Sequence, residues 1–231
     1  GIAIAMIGAA KGYQVDLCMP ECVSMERRLI LEGLGSQVFL TPAKSNIDGA
    51  IKKAHELLEK DSDKYFMPNQ YDNEDNALAH YETTGPEIMA QTGGTVDYFV
   101  AGMGTTGTLM GTAKYLKEKK PSVKIVGVEP VQGHTIQGLK NMTESIVPKI
   151  YKPEILDEKV MVEDGEAFEA TRLLAQKEGI FVGTSSGAAV AVAIQIAKRI
   201  DHGNIVVILP DRGDRYLSTM QFRSICAKCP P

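Results

Sequence analysis

Gly102-Met103-Gly104-Thr105-Thr106-Gly107-Thr108 stands between a largely apolar run at residues 97–101 and a run of helical character at residues 109–117. A glycine-rich turn that ends a strand and opens a helix directs several backbone N–H groups, and the positive end of the helix dipole, at one point. The threonine hydroxyl groups add hydrogen-bond donors of the kind that a phosphate accepts from. The stretch therefore predicts a turn that binds a phosphate group.

The motif alone leaves open which phosphate compound the turn binds. Residues 102–107 also fit the dinucleotide fingerprint G-x-G-x-x-G, and Glu129 stands 22 residues beyond Gly107, close to where a ribose-binding acid is expected. The Walker pattern fails because no Lys-Ser/Thr pair follows the glycines, so ATP and GTP are disfavoured. A third interpretation is a turn that serves only the tight packing of a strand on a helix.

A second run of small residues, Gly183-Thr184-Ser185-Ser186-Gly187, lies between a predicted short strand and an apolar helix. Its serine hydroxyl groups can donate or accept hydrogen bonds, although a serine at such a place is also an ordinary helix N-cap. Ligands in open α/β sheets bind beyond the carboxyl ends of the strands, so the two turns can face one cleft. Residues 133–153 carry few periodic apolar residues, and loops of that length are often functional.

Strand-like and helix-like runs alternate along the chain. Predicted strands lie at residues 14–20, 37–40, 65–67, 97–101, 124–129, 180–182 and 204–209. Predicted helices lie at residues 2–10, 24–34 with Ser24 as the N-cap, 46–61, from about 74, 109–117, 165–178 and 187–200. The alternation is typical of an α/β fold, in which helices cover both faces of a mostly parallel sheet. A polar loop near residue 72 is the predicted domain boundary.

The composition is that of a soluble globular protein. Of the 231 residues 44% are apolar, the net charge is −4, and the basic residues are scattered, so neither nucleic acid nor a membrane is an expected partner. No signal-like segment opens the sequence, which favours a cytoplasmic location. Four cysteines are too few for a disulfide scaffold, and Cys226-Ala-Lys-Cys229 is the only C-x-x-C, so reduced thiols and no bound metal are expected.

A set of short motifs runs through nearly the whole chain in one order. The set comprises Gly12-Tyr13, Met19-Pro20-Glu21, Ser24-x-Glu26-Arg27-Arg28, Thr83-Thr84-Gly85-Pro86-Glu87-Ile88, Gly104–Thr108, Gly127-Val128-Glu129-Pro130, Gly183–Gly187 and Tyr216-Leu217-Ser218-Thr219. Together these motifs resemble the fold-type II pyridoxal-phosphate (PLP) enzymes, and among them the cysteine synthases, also called O-acetylserine sulfhydrylases. Thr106 and residues 211–215 are more similar to the B-type cysteine synthases than to the A-type.

The resemblance implies a fold, a cofactor and an activity. The implied fold is tryptophan synthase β-like, with two three-layer αβα domains and mostly parallel sheets. Residues 1–72 would be the remainder of a smaller N-terminal substrate-binding domain, and residues 73–231 a larger PLP-binding domain. The implied activity is that of a homodimeric transferase that makes L-cysteine from an O-activated serine and a sulfur donor.

The resemblance also assigns roles to single residues. It assigns the cofactor phosphate to Gly104, Thr105, Thr106, Gly107 and Thr108. Ser185 would face the pyridine nitrogen, where a neutral partner weakens the ring as an electron sink and so suits elimination at Cβ. Gln70 would help to hold the substrate carboxylate, and Lys140 would place one positive charge beside the entrance of the second substrate.

No catalytic lysine is expected within the chain itself. The family's Schiff-base lysine lies upstream of the position that Gly1 matches, and none of the lysines here stands in a similar context. The chain therefore resembles an N-terminally truncated part of the enzyme. A polypeptide that begins at Gly1 is expected to form no reducible lysine adduct, to show no turnover, and to expose apolar surface at residues 2–10.

Three hypotheses follow from these observations. The first is the cysteine-forming β-replacement, with the formation of cystathionine from serine and homocysteine as a sister reaction. The second is a nicotinamide dinucleotide-binding module that uses residues 102–107 and Glu129. The third is a catalytically inactive binding or regulatory protein. The absorption spectrum after addition of each cofactor separates the first two.

Overall fold

Two separate parallel sheets organise the chain. The computed structural model describes residues 1–219, which fall into two units. The first unit contains Gly1–Met67 and the described residues after Arg212, and the second contains Pro68–Arg212. Cys226 and Cys229 lie outside the described residues. The units divide at residues 67 and 68, close to the predicted boundary near 72, and their assignment to a substrate-binding and a PLP-binding domain stays a prediction.

The first unit packs three helices with a two-stranded sheet. Its elements are α1 (Ile2–Lys11), β1 (Asp16–Pro20), α2 (Met25–Gly33), β2 (Gln37–Thr41) and α3 (Asn46–Lys60). Strands β1 and β2 are parallel, with Asp16 opposite Gln37. In α3, Ile47, Ala50 and Ile51 recur at helical spacing and form an apolar stripe, and Ala50 in that stripe is buried.

The second unit is a four-stranded parallel sheet with helices on both faces. Its elements are α4 (Asp75–Glu82), α5 (Thr84–Gln91), β3 (Val96–Gly102), α6 (Gly107–Lys119), β4 (Lys124–Pro130), β5 (Glu158–Val162), α7 (Asp164–Glu178), α8 (Thr184–Ala197) and β6 (Asn204–Val207). The strand order is β5-β4-β3-β6. Side chains alternate across β3, so Phe99 joins the apolar cluster under α6 and Val100 joins the cluster under α7 and α8. This unit confirms the predicted α/β class.

Two of the predicted strands are wrong, and one strand was missed. Within the described part of the chain, residues 65–67 form no strand, and residues 180–182 contribute only one isolated bridge, between Val182 and Arg212. The missed strand is β5, which lies at the edge of the sheet beside β4. Its burial alternates along the strand, so it lacks the continuous apolar run that marked the central strands.

Ser24 is the N-cap residue of α2, as predicted, but its side chain does not cap the helix. Its hydroxyl instead donates to the carbonyl of Arg215 at 2.6 Å. The serine therefore stabilises a contact between distant parts of the sequence within the first unit. Among residues 1–219, no helix has both the length and the apolar character needed to cross a membrane.

Candidate functional site

The glycine-rich turn joins the central strand β3 to helix α6. Thr106 is the N-cap of α6 and has φ 69° and ψ −2°, a left-handed conformation that a β-branched residue rarely adopts. Its side chain is only 2% exposed, and the Thr106 hydroxyl finds no hydrogen-bond partner among the described residues. Strain of this kind, of about 1–3 kcal/mol, collects at ligand-binding sites, and an unpaired buried hydroxyl points to a missing polar partner.

The glycines of the turn are needed because other groups approach them closely. A Cβ atom on Gly104 would lie 2.5 Å from the carbonyl oxygen of Gly138. A Cβ atom on Gly107 would overlap the side-chain amide of Asn76. The backbone of the turn is therefore held between the loop that follows β4 and the helix α4. Such close packing is possible only because glycine has no side chain.

Asn76, on the first turn of α4, links two of the predicted site segments. Its Nδ2 donates to the backbone carbonyl of Gln70 at 2.7 Å and to Oγ1 of Thr105 at 3.0 Å. Gln70 is exposed and stands where the chain approaches α4. The predicted substrate-carboxylate residue and the predicted phosphate turn are thus joined by a residue that sequence reasoning missed.

His80, one turn further along α4, contacts a second threonine of the turn. Its Nε2 lies 3.1 Å from Oγ1 of Thr108, and its Nδ1 lies 2.8 Å from Oγ1 of Thr84. Burial lowers the pKa of His80 below its ordinary value of 6.5, so the ring is neutral at pH 7. The signal that could have indicated both residues is their spacing, because Asn76 and His80 lie four apart on one face of a helix.

The second small-residue turn lies close to the first through Gly138. Ser185, in the first turn of α8, is 6% exposed, and its Oγ lies 3.9 Å from the position of a Cβ atom on Gly138. The carbonyl of the same Gly138 packs against Gly104. The structure therefore brings the predicted phosphate residues and Ser185 together around one loop residue, with φ 98°.

Lys140 lies in the same loop but points into the unit. The residue is 3% exposed, its Nζ donates to the carbonyl of Ile146 at 2.8 Å, and its ammonium group lies 4.9 Å from the ring centroid of Tyr71. The contact with Tyr71 attaches the loop to the segment that contains Gln70. The role of Lys140 at the entrance of the second substrate stays a prediction.

Glu129 has a structural role that differs from the ribose contact of the dinucleotide hypothesis. The residue is 1% exposed, its Oε1 accepts from the backbone N–H of Met142 at 2.6 Å, and its Oε2 pairs with Nζ of Lys159 at 2.5 Å. The hydrogen bond to Glu129 raises the pKa of Lys159. The carboxylate is therefore occupied by a backbone amide and an ion pair.

Comparisons with known proteins identify the family of the chain. The family model described as "Pyridoxal-phosphate dependent enzyme" matches residues 1–211. The chain belongs to this family. It is 42% identical over 219 residues to cysteine synthase B of Pseudomonas aeruginosa, with 95% of this chain and 73% of the relative covered. The chain is thus a PLP-dependent enzyme of the cysteine synthase family, and its cofactor is PLP.

Solved structures show the same fold. The crystal structure of O-ureido-L-serine synthase matches with a TM-score of 0.89 and 38% identity, over 97% of this chain and 73% of that one. The O-acetylserine dependent cystathionine beta-synthase of Helicobacter pylori matches with a TM-score of 0.87 and 38% identity, over 94% and 72% of the two chains. The predicted fold-type II architecture is confirmed.

Proposed function

We propose that this protein catalyses a PLP-dependent β-replacement that makes L-cysteine from an O-activated serine and a sulfur donor. The serine would be O-acetylserine or O-phosphoserine, and the donor would be sulfide, thiosulfate or a similar nucleophile. Bound PLP supplies an electron sink that stabilises negative charge at Cα and so allows a β-substituent to leave. The observation that carries the proposal is the contact of Gly138 with both Gly104 and Ser185 in a chain of this family.

The residues of the site fit a phosphorylated cofactor. The helix α6 begins at this turn, so its N-terminal N–H groups face an anion bound there, and its N-cap residue Thr106 carries a buried hydroxyl without a partner among the described residues. We propose that residues 104–108 hold the phosphate and that the buried hydroxyl of Thr106 donates to it. The Oγ of Ser186 at the second turn also has no hydrogen-bond partner within residues 1–219, which supports a ligand there.

Ser185 and Gln70 are proposed to orient the reactants. The hydroxyl of Ser185 would donate to an unprotonated pyridine nitrogen, which limits the electron demand of the ring. The amide of Gln70 would donate to the carboxylate of the amino-acid substrate, at a distance from the phosphate turn set by Asn76. Lys140 would act at the second-substrate entrance through the loop that it attaches to Tyr71.

A second candidate function is the condensation of an activated serine with homocysteine. The likeness to the Helicobacter pylori enzyme described above favours it. The two reactions share their first substrate and differ only in the sulfur nucleophile. They are therefore separated by the product and not by the cofactor.

We further propose that the protein works in the cytoplasm as a homodimer with small-molecule substrates. The resemblance to the cysteine synthases supports the dimer, and the low net charge of −4 gives no attraction for nucleic acid. Light scattering coupled to gel filtration measures the state of assembly directly. A mass equal to one chain would remove this part of the proposal.

The decisive experiment supplies the full-length protein with PLP and assays the products of O-acetylserine or O-phosphoserine with sulfide, thiosulfate or homocysteine. Cysteine from at least one pair supports the proposal, and cystathionine alone supports the second candidate. Bound PLP with neither product indicates an inactive binding protein. Failure to bind PLP, together with binding of a nicotinamide dinucleotide, would reject the PLP site and favour the dinucleotide interpretation.

A further inference from the structure

We infer that Asn76 and His80 are positioning residues that orient the hydroxyl groups of Thr105 and Thr108 as hydrogen-bond donors to an anion in the turn. The inference rests on the proposed function, because it takes residues 104–108 to hold a phosphate. It assigns to helix α4 a part in selecting a phosphorylated ligand over its unphosphorylated analogue. Each hydroxyl contributes one oriented proton to that selection.

The orientation of the Asn76 amide is determined by Gln70. A backbone carbonyl can only accept a hydrogen bond, so the Asn76 atom 2.7 Å from the oxygen of Gln70 must be the amide nitrogen. That same nitrogen lies 3.0 Å from Oγ1 of Thr105. An amide nitrogen only donates, so the hydroxyl of Thr105 accepts from Asn76.

The hydroxyl of Thr105 is therefore left as a donor toward the turn. Its oxygen also accepts from the backbone N–H of Gly107, at the longer distance of 3.4 Å. A hydroxyl has two acceptor positions and one hydrogen, and both acceptor positions face donors. The hydrogen is then directed away from Asn76 and Gly107, to an acceptor outside these residues. A phosphate oxygen supplies such an acceptor.

The position of α4 beside the turn is defined by backbone packing. A Cβ atom on Gly111, in α6, would overlap the backbone carbonyl of Ala77, in α4. The two helices approach each other so closely only because Gly111 has no side chain. Asn76 lies one residue before Ala77 in α4, and His80 lies about one helical turn after it. Both side chains consequently face the N-terminal end of α6.

His80 presents the turn with two alternative tautomers. A neutral imidazole has one donor and one acceptor nitrogen, and the His80 ring lies between Thr84 and Thr108. With the proton on Nε2, His80 donates to Thr108 and leaves the Thr108 hydrogen for an anion. With the proton on Nδ1, Nε2 accepts the Thr108 hydrogen and withdraws it from the turn. An anion at the turn selects the first tautomer.

The test compares affinities for PLP and for pyridoxal, which lacks the phosphate, in the full-length protein. Asn76→Ala should weaken PLP binding by about tenfold, since it removes the group that orients a donor to a charged acceptor. The affinity for pyridoxal should stay unchanged. Glu82→Gln, at the exposed end of α4, is the matched control and should leave both affinities unchanged.

A double-mutant cycle separates orientation from a general structural role. If Asn76 acts through the hydroxyl of Thr105, then Asn76→Ala should have almost no further effect on PLP affinity in a Thr105→Val background. Equal effects in both backgrounds would overturn the inference. If Asn76→Ala fails to fold, two measurements still test the inference. They are the PLP affinity of Thr105→Val and the histidine NMR experiment on the unaltered protein described next.

The tautomer of His80 is read by ¹⁵N NMR of protein labelled at histidine, with and without saturating inorganic phosphate. The resonance is assigned with His80→Gln. Phosphate should increase the Nε2–H form, and a ring that carries its proton on Nδ1 in the phosphate-saturated protein would contradict the inference. An unaltered protein with no preference for PLP over pyridoxal would reject the phosphate turn itself. If Asn76→Ala and His80→Gln both keep the parent protein's preference for PLP over pyridoxal, only the role of α4 is rejected.

Discussion

Thr106 combines a left-handed backbone with a buried side chain at the start of α6. Glycine adopts this conformation without the steric cost of a Cβ atom, which is about 1 kcal/mol for an L-residue. Thr106→Gly should therefore stabilise the ligand-free protein by up to about 1 kcal/mol, while the loss of a hydroxyl donor weakens PLP binding severalfold. Urea unfolding and PLP titration measure the two effects.

The control for this prediction is Asn46→Gly. Asn46 also has a positive φ, of 45°, but lies at the start of α3 in the first unit. Its replacement should leave PLP affinity unchanged. Equal losses of PLP affinity in the two variants would show that the hydroxyl of Thr106 makes no contact with the phosphate.

Gly107 lies against the amide of Asn76, so even one added methyl group must displace that side chain. Gly107→Ala should weaken PLP binding at least tenfold and lower the free energy of unfolding by about 1–3 kcal/mol. Fluorescence titration and urea unfolding measure the two quantities. Gly165→Ala, near the start of α7, is the control, since a Cβ atom there meets no described atom within 4 Å. Matching results for the two variants would contradict the tight contact.

The depressed pKa of His80 makes stability depend on pH. Burial favours the neutral ring, so the contribution of His80 is complete above the ordinary pKa of 6.5 and is lost as the pH falls toward the lower pKa of the folded state. Without PLP, the free energy of unfolding should fall between pH 7.5 and pH 5, and less so in His80→Gln. Urea unfolding at several pH values gives the curves, with His55→Gln as the control. An unchanged slope in His80→Gln would remove this explanation.

Among the elements, the sequence predicted best those that are buried on both sides. Apart from Asp97, strand β3 is apolar and lies between two helix layers, and its pattern cannot be satisfied at a surface. Strand β5 begins with two charged residues and pairs with only one neighbouring strand, β4. Its sequence pattern therefore resembles that of a loop. Residues 65–67 were wrongly predicted as a strand because their pattern is apolar. The apolar side chain of Phe66 is nevertheless 87% exposed.

The candidate site shows the same division between local and distant information. The turn at residues 102–108 is a local motif, so its glycines and hydroxyl groups could be identified from spacing. Asn76 and His80 reach that turn from 29 and 28 residues earlier in the sequence. Their four-residue spacing places both on one face of α4, but only the packing of α4 on α6 brings that face to the turn.

Asp157 joins three elements of the second unit. Its carboxylate accepts from the backbone N–H of Ile125 in β4, pairs with Lys117 of α6 at 2.7 Å and with Lys124 at 3.2 Å, and precedes β5. Burial alone would raise the pKa of Asp157, but the hydrogen bonds from Lys117 and Ile125 lower it on balance. Asp157→Asn should lower the free energy of unfolding at pH 7 by about 1–3 kcal/mol.

The direction of the pKa shift determines the pH range in which Asp157 stabilises the protein. Because the pKa of Asp157 is depressed in the folded state, its contribution is present above the ordinary value of 3.8 and disappears as the pH falls through the folded pKa. Urea unfolding at pH 7 and pH 3 should thus show a smaller difference between Asp157→Asn and the parent protein at the lower pH. Glu56→Gln, in an exposed ion pair on α3, should change stability by less than about 0.5 kcal/mol at either pH.

For the molecule as a whole, the contacts of the phosphate turn described above join residues of the second unit. Asn76, His80, Gly138 and Ser185 all belong to residues 68–212, as do both apolar clusters. A polypeptide of residues 68–212 should therefore unfold cooperatively and bind inorganic phosphate within about tenfold of the full-length protein. Circular dichroism and phosphate titration measure this, and the same fragment with Gly107→Ala is the control. A fragment without a cooperative transition would show that the second unit depends on the first.

The first unit is discontinuous, and this has a consequence for synthesis on the ribosome. Glu26, in α2, accepts hydrogen bonds from the N–H and the hydroxyl of Ser218, which the ribosome adds 192 residues later. At about 5–20 residues per second, α2 waits roughly 10 to 40 s for that partner. The whole four-stranded sheet emerges during the delay. The nascent chain consequently completes its second unit before its first, and Glu26 lacks this hydrogen-bond partner until Ser218 is added.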